Sequence, residues 1–593
     1  MGFRCSRKET PLSRHATYLQ NEAQAEAATS FPMFTVRLED ALQMSCVEPH
    51  ERLKEKGLLV EFKESLGKAV FVSHQWAEKD HPDPTSAQFR VFQDAMKNIL
   101  SGRLDRIELD NLTEIVLPET KPLRTQELRS AKLFMWYDYF SGPQHSKGSE
   151  SDLAKAIASI HAYVAKCSFF CALCPFLEDP VTAKVLSFSS WAERGWCRLE
   201  RTICELSEGS WIVIKSVQRL ELVVGSQSLS SPICEGEFAV ASDKLGFGPV
   251  LLAALRRRMR QALSRRDFVT YRVVRSLQSV YLRGLATELE MDDVPGFVPS
   301  CNEDSASTVE RFLYQNGFWN LHEVDSAGFL PLHYAALGGQ PELIKAMLDQ
   351  RADPRKTARK GQPLLKTPPG VSALGLALLC GHNNAASLLI EAKANCQKRG
   401  VISPASPALH LAAYSNNVQG MRLLFQAGWD PTSELDAFGS RTTYSACDAG
   451  SLAALEELIR RGEPLSLLLH VCAVSSTCSS PLARRLIDLK ADIDEQWKQF
   501  MTLPARLFVR LQSLRYRFGT DTALTRQCYH FNGSTPLMLA LLSGNFEIAM
   551  ILLREGARLD LRNAQSFSAL DLAYGAPDPL QEILRGDSIY NRI

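Results

Sequence analysis

The sequence lacks most of the features that assign a function at sight. It has no run of about 18 apolar residues, so no segment is built to span a membrane. It has no Walker loop, no G-x-G-x-x-G after a strand, no kinase signature and no nucleophile elbow. Kinase and serine-hydrolase chemistry are thereby excluded. A lone C-x-x-C has no second pair at zinc spacing, so no metal site is expected. The opening residues hold no apolar core of a secretory signal, and the 15 cysteines are an odd number without repeated spacing. Reduced thiols in the cytoplasm are the expectation. Net charge is almost absent, with 67 Lys+Arg against 66 Asp+Glu. A chain so balanced is not built to coat nucleic acid, and no specific nucleic-acid partner is expected.

What is present reads as folded protein. Hydrophobic residues make up 45% and charged residues 22% of 593, ordinary values for globular chains. Residues 1–30 are polar and rich in Ala, Gln and Glu, and disorder is expected there. Met1-Gly2-Phe3-Arg4-Cys5-Ser6 fits a loose myristoylation pattern. Phe3 suits the acyl-transferase pocket poorly, so an ordinary frayed terminus is expected. Peripheral membrane attachment would follow only from acylation of Gly2 and Cys5.

Residues 31–220 alternate short apolar runs with amphipathic stretches, which predicts an α/β domain with a parallel sheet and helices on both faces. Its first 36 residues, 31–66, are expected to be partly helical. Strands are expected at 68–74, 133–140, 168–175 and 211–216, and helices at 85–100, 154–166 and 192–206. Residues 101–130 look like an irregular excursion. Residues 221–304 form a loop and a helical connector. The Arg256-Arg257-Arg258-Met259-Arg260 cluster in the connector lies on an amphipathic helix and reads as a solvated face. Cys171-Ala172-Leu173-Cys174 falls within a strand and reads as two core thiols.

From 305 to 593 the chain repeats. Pro331-Leu332-His333-Tyr334-Ala335-Ala336, Ala408-Leu409-His410-Leu411-Ala412-Ala413 and Pro536-Leu537-Met538-Leu539-Ala540 each precede a turn and a second apolar helix. Weaker copies stand near 373, 444, 469 and 569. The marker and the period of about 33 residues resemble the ankyrin repeat. About six or seven repeats are expected, forming an all-α solenoid. Residues 495–530 are either an insertion or a decayed repeat. The marker histidine is expected to fix the turn. In such arrays a protein partner binds the exposed fingers and the concave helix face.

The N-terminal segments VFVSHQW (70–76), MWYDYFSGPQ (135–144), YVAKCSFFCALCP (163–175) and RGWCRLERTICEL (194–206) resemble, in order and spacing, the TIR (Toll/interleukin-1 receptor) domain, a flavodoxin-like fold. Some TIR domains cleave NAD, and others only bind copies of themselves. The resemblance places the W-x-x-x-E glutamate at Glu200. Cleaving the nicotinamide–ribose bond builds positive charge on the ribose, which a fixed carboxylate stabilises. On this reading Ser73, His74, Trp76, Phe140 and Ser141 line the site, with Trp76 or Phe140 stacking on a ring of NAD. NAD enters as substrate, and no resident cofactor is implied. Ser141-Gly142-Pro143-Gln144 stands where the family carries an acidic-basic-glycine signature. The alternatives stay open: Glu200 as a surface glutamate paired with Arg198 or Arg201, His74 bonded to backbone, and Trp196 and Cys197 packed on the sheet. Two functions follow. One is protein recognition by the ankyrin array, coupled to a TIR-like module that signals or self-associates. The other is an NAD glycohydrolase with the array as sensor or targeting arm.

Overall fold

Four strands alternate large apolar side chains so regularly that both faces of a sheet must be buried. In the computed structural model these are β3 (Lys68–Ser73), β6 (Leu133–Tyr137), β7 (Cys167–Leu173) and β10 (Ser210–Ile214). Val70, Val72, Met135, Tyr137, Cys171 and Ile212 point into one core. Phe71, Trp136, Phe170 and Trp211 point into the other. Residues described are 9–584 apart from 22–28, 145–149, 180–183, 241–242, 286–292, 300–303, 395–406, 433, 437, 476, 499–501, 574–575, 578–579 and 582–583.

These four strands run parallel in the order β6-β3-β7-β10. In chain order that is 2-1-3-4, the sequence of a doubly wound sheet. The full sheet has nine strands and is mixed, which corrects the purely parallel expectation. β1 (Phe34–Arg37) lies antiparallel to β6 and carries β2 (Leu59–Glu61) at one edge. Beyond β10 come β11 (Leu220–Val223), β4 (Arg106–Leu109) and β5 (Leu123–Arg124). β8 (Leu177–Glu178) and β9 (Val185–Leu186) pair separately. The segment 31–66 thus supplies two edge strands beside its helices, and the 101–130 excursion forms the far edge. Strands of two to four residues with charged side chains carry too little apolar period to be read from sequence.

The N-terminal segment departs from its expectation. Pro11–Asn21 is a helix whose Leu12 and Ala16 are buried against the connector. An apolar pair four residues apart is enough to dock a short helix once a surface is offered. Gly2 and Cys5 lie outside the described residues. In the connector, helix Asp243–Ser264 buries Leu251, Leu255 and Met259. Its arginines form the expected solvated face only in part, Arg260 being exposed. Arg257 donates to the His161 carbonyl at 2.5 Å, and Arg258 and Arg265 share Glu208.

The C-terminal half stacks helix pairs. First helices Pro331–Gly338, Ala373–Leu379, Ala408–Tyr414, Thr442–Asp448, Leu468–Val474 and Pro536–Ser543 pack in one row. The second helices include Pro341–Asp349, Asn383–Glu391, Val418–Gln426 and Phe546–Arg554. Leu468–Val474 packs directly on Pro536–Ser543, and the intervening Leu503–Arg517 and Ala523–His530 pack on each other as a hairpin. Gly339 ends the first helix of the row at φ 63°, a left-handed turn that suits a residue without Cβ. His333 closes its turn by accepting the Leu330 N–H at 3.1 Å.

The row of first helices is not free. Its carboxyl ends face the α/β domain. Leu376, Leu379, Cys380 and Leu411 share a core with Phe170 and Leu255. The proline-bearing loop between the first two pairs carries Lys366 to Asp110 of the sheet edge, at 3.0 Å, with both side chains buried. Farther along, contacts turn polar: Arg526 meets Glu108 at 3.4 Å, Arg554 meets Glu178 at 2.6 Å, and Asn111 bonds Gln527. Val474, Ser475, Leu542 and Ser543 there face Lys215 and Glu221 across a small open cleft.

Burial holds the repeat histidines His333 and His470 down to about 4, from 6.5 when free. The unfolded chain therefore takes up their protons first as pH falls. Their contribution to stability is complete above pH 6.5 and drains away toward pH 4. Each histidine withdraws on the order of 2–3 kcal/mol. Urea melts from pH 7.5 to 4.5 should show the loss, and a His333→Gln/His470→Gln double variant should show a shallower slope. Equal slopes would contradict the assignment.

Candidate functional site

The site is built where β3 ends. A parallel strand presents its last side chains at the carboxyl rim of the sheet, and here those residues are Ser73, His74, Gln75 and Trp76. Helix Gly195–Glu205 lies over this rim and brings Glu200 down to Ser73. Its start is fixed by the connector. The Gly195 N–H donates to the Glu237 carbonyl at 2.7 Å, and a Cβ at Gly195 would run into the Phe238 ring. Glycine is required by that approach.

Ser73 Oγ donates to Glu200 Oε2 at 2.5 Å and accepts from the indole N–H of Trp191 at 3.0 Å. Trp191 sits in helix Phe188–Glu193, which Ser187 and Ser190 cap reciprocally. Glu200 is only 8% exposed. Burial pushes its carboxyl up to about 8; the Ser73 hydrogen bond and Arg194 oppose the rise, and Asp138 adds to it. The surface alternative for Glu200 is thereby overturned. Arg198 instead donates to the Ala192 and Pro232 carbonyls, and Arg201 reaches the Ser231 carbonyl and Glu205.

A second group adjoins this one. His74 Nε2 stands 2.9 Å from Asp138 Oδ1, and Trp76 donates its indole N–H to Asp138 Oδ2 at 2.8 Å. Asp138 is the first residue after β6 and remains partly open to solvent. Burial lowers the His74 pKa, with Asp138 working against it. The Tyr137 ring lies 3.8 Å from the His74 ring. Four buried polar atoms here, His74 Nδ1 and Nε2, Asp138 Oδ1 and the Tyr137 hydroxyl, meet no hydrogen-bond partner of good geometry among the described residues, so His74 and Asp138 are neighbours by distance alone.

The structure therefore gathers Ser73, His74, Trp76 and Glu200 at one rim. It takes the other two sequence candidates away from it. Phe140 is fully buried with its ring stacked on Tyr137, so it offers no face to a ligand ring. Ser141 accepts the Tyr137 N–H at 3.1 Å and closes the turn after β6. Both expectations are corrected by the same cause: β6 ends at Tyr137, and the chain turns at once into helix Asp138–Ser141. Trp196 packs on Phe247 and donates to Asp243, not to the sheet. Cys197 is buried with Sγ 3.5 Å from the His74 carbonyl. Cys171 and Cys174 are buried thiols, both pushed up by burial. Trp191 was missed from sequence, and Asp138 stood at the head of the loop after the second strand without an assigned role. The only signal was position: Asp138 directly follows a strand, and Trp191 lies nine residues before Glu200. Among the described residues no cluster of His, Cys, Asp and Glu could hold a metal ion.

Comparison with known proteins bears on the other half. Residues 300–400 match the family model for ankyrin repeats in three copies, and residues 532–564 match that for a single ankyrin repeat. The human transient receptor potential cation channel subfamily A member 1 is 22% identical over 334 residues, 47% of this chain and 29% of that protein. An ankyrin repeat protein of Neisseria meningitidis serogroup B is 38% identical over 77 residues, 13% of this chain and 26% of that protein. The chain thus spans less than a third of either curated relative. The crystal structure of the human ASB11 ankyrin repeat domain matches 44% of this chain and 98% of its own at 22% identity, with a TM-score of 0.31. The C-terminal part of this chain carries ankyrin repeats. No helix among the described residues is long and apolar enough to cross a membrane.

Glu200 makes stability fall as pH rises. In the unfolded chain it ionises near 4.5, whereas the folded chain keeps the proton to about 8. The native state therefore loses stability between those values. Glu200→Gln keeps a hydrogen-bonding partner for Ser73 and does not titrate. Its stability should exceed that of the parent chain at pH 8.5 by on the order of 3–5 kcal/mol and converge with it near pH 4.5. Parallel pH profiles in urea melts would show that Glu200 is not held neutral.

Proposed function

We propose that this chain is a signalling adaptor. Its ankyrin array recognises a protein partner, and its α/β domain is a TIR-like module that the array holds in check. One observation carries the reading: the carboxyl ends of the first-helix row, on the helix face with which such arrays bind proteins, lie against the chain's own connector and α/β domain. The two ends of that contact differ in strength. Near the first repeats it is apolar and sealed by the buried Lys366–Asp110 pair. Near the last repeats it is polar, made by Arg526–Glu108 and Arg554–Glu178, whose arginines are partly solvated, and by hydrogen bonds of Asn111 to Gln527 and of Thr522 to Glu114. Exposed ion pairs contribute about 0.2–1 kcal/mol each. A protein that binds the last repeats therefore displaces the α/β domain there at small cost. The apolar end keeps it tethered.

The test is amide hydrogen exchange on the full chain carrying Arg526→Ala and Arg554→Ala. Exchange should quicken by up to about tenfold in Leu468–Val474, Pro536–Ser543 and β4, and stay unchanged in Ala373–Leu379. Sedimentation of the same variant should reveal association that the parent chain lacks, through the exposed module. Unchanged exchange at the last repeats would remove the proposal's basis.

A second reading is NAD cleavage. The observation favouring it is the Ser73–Glu200 pair beside His74 and Asp138 at the rim where α/β sheets bind ligands. The chemistry sets a condition. A protonated carboxyl stabilises no oxocarbenium charge, so a Glu200 held near 8 must be opened and ionised before it acts. Nicotinamide release from NAD should then appear in the Arg526→Ala/Arg554→Ala chain, increase toward pH 8 and vanish with Glu200→Gln. Absence of turnover in the folded variant at pH 8 would discard the enzyme.

A further inference from the structure

Helix Leu503–Arg517, in the hairpin between repeats, is amphipathic in the wrong sense for a solenoid. It turns its small and polar residues inward: Ala505 and Gln512 are buried. It turns its large apolar residues outward. Leu503, Leu507, Leu511, Leu514 and the following Phe518 are 47–86% exposed. Spacings of four, four, three and four residues place all five within one stripe along the helix. Arg506, Arg510 and Arg517 border the stripe on one side and Arg515 on the other, and the helix contains no carboxylate.

We propose that this helix is a docking surface for an anionic lipid membrane. Three features select that occupant. The exposed stripe is a narrow ridge on a helix whose opposite face is already taken by helix Ala523–His530. A flat lipid surface needs only the outer face, whereas a protein that engulfs a helix needs the rest of its circumference. Arginines on both borders sit at the depth of headgroup phosphates while leucines enter the acyl boundary, the arrangement of an interfacial helix. A second copy would bring four arginines against four arginines without an acidic residue on either helix, and repulsion opposes that pairing.

The experiment is flotation of the full chain with vesicles of phosphatidylcholine alone or with 30% phosphatidylserine, roughly the range in which surface charge attracts basic segments. Binding should require phosphatidylserine and weaken as NaCl rises. Leu507→Ser/Leu511→Ser/Leu514→Ser should reduce it at least tenfold, and Arg506→Gln/Arg510→Gln/Arg517→Gln should remove its salt dependence. The three leucines are 47–57% exposed, so the serine variant should melt with the parent chain, and the glutamine variant, which removes the Arg517 contact with the Tyr529 ring, should remain folded in the same melt. A parent chain that fails to float, or binding that survives the serine variant, overturns the proposal. A dimer in sedimentation that the serine variant abolishes, without vesicle binding, would assign the stripe to self-association instead.

Discussion

The long connector helix Asp243–Ser264 has an apolar face that serves two structures at once. Leu251, Leu255 and Met259 lie in one continuous core with Phe71 and Trp136 of the sheet and with Phe329, Tyr334 and Leu376 of the first repeats. A helix that buries one stripe against two partners removes the freedom of each to rotate about it. The sheet and the first repeats are therefore joined by close packing, which tolerates little displacement at that end. The placements of the Lys366 loop, of Glu108 against Arg526 and of Glu178 against Arg554 follow from that joint.

The same constraint shapes the rim at β3. The connector supplies the Glu237 carbonyl and the Phe238 ring that seat the start of helix Gly195–Glu205. That seat fixes the depth of Glu200, five residues on. Glu200 then finds Ser73 in place of water, and Ser73 is held in turn by Trp191. A carboxyl so placed stays neutral because ionising it in a dry environment costs more than one hydroxyl hydrogen bond returns.

The two halves were unequally legible in the sequence. Ankyrin repeats were readable because each pair restates the same pattern and stacking only extends it, so local grammar carries the fold. The four central strands were readable because burial on both faces demands near-continuous apolar runs. Edge strands such as β4 and β5 were not, since half their side chains meet water or another domain. Helix Pro11–Asn21 was hidden for a similar reason: its two buried residues matter only beside a surface built by distant segments. At the site, Ser73, His74, Trp76 and Glu200 were found from motif position, while Phe140 and Ser141 were misplaced because the end of β6 could not be fixed to the residue.

By itself the sequence determined the period of the repeats, the alternation of the central strands and the residue types at the rim, all set by contacts between near neighbours. Tertiary structure alone decided which faces remain available. The carboxyl ends of the first-helix row lie against the connector and the α/β domain, Arg257 and Arg258 reach the His161 carbonyl and Glu208, and the leucines of 503–514 are turned outward to solvent. Local pattern states that a face is apolar or charged. What meets that face depends on segments hundreds of residues away, and only the packed chain brings them together.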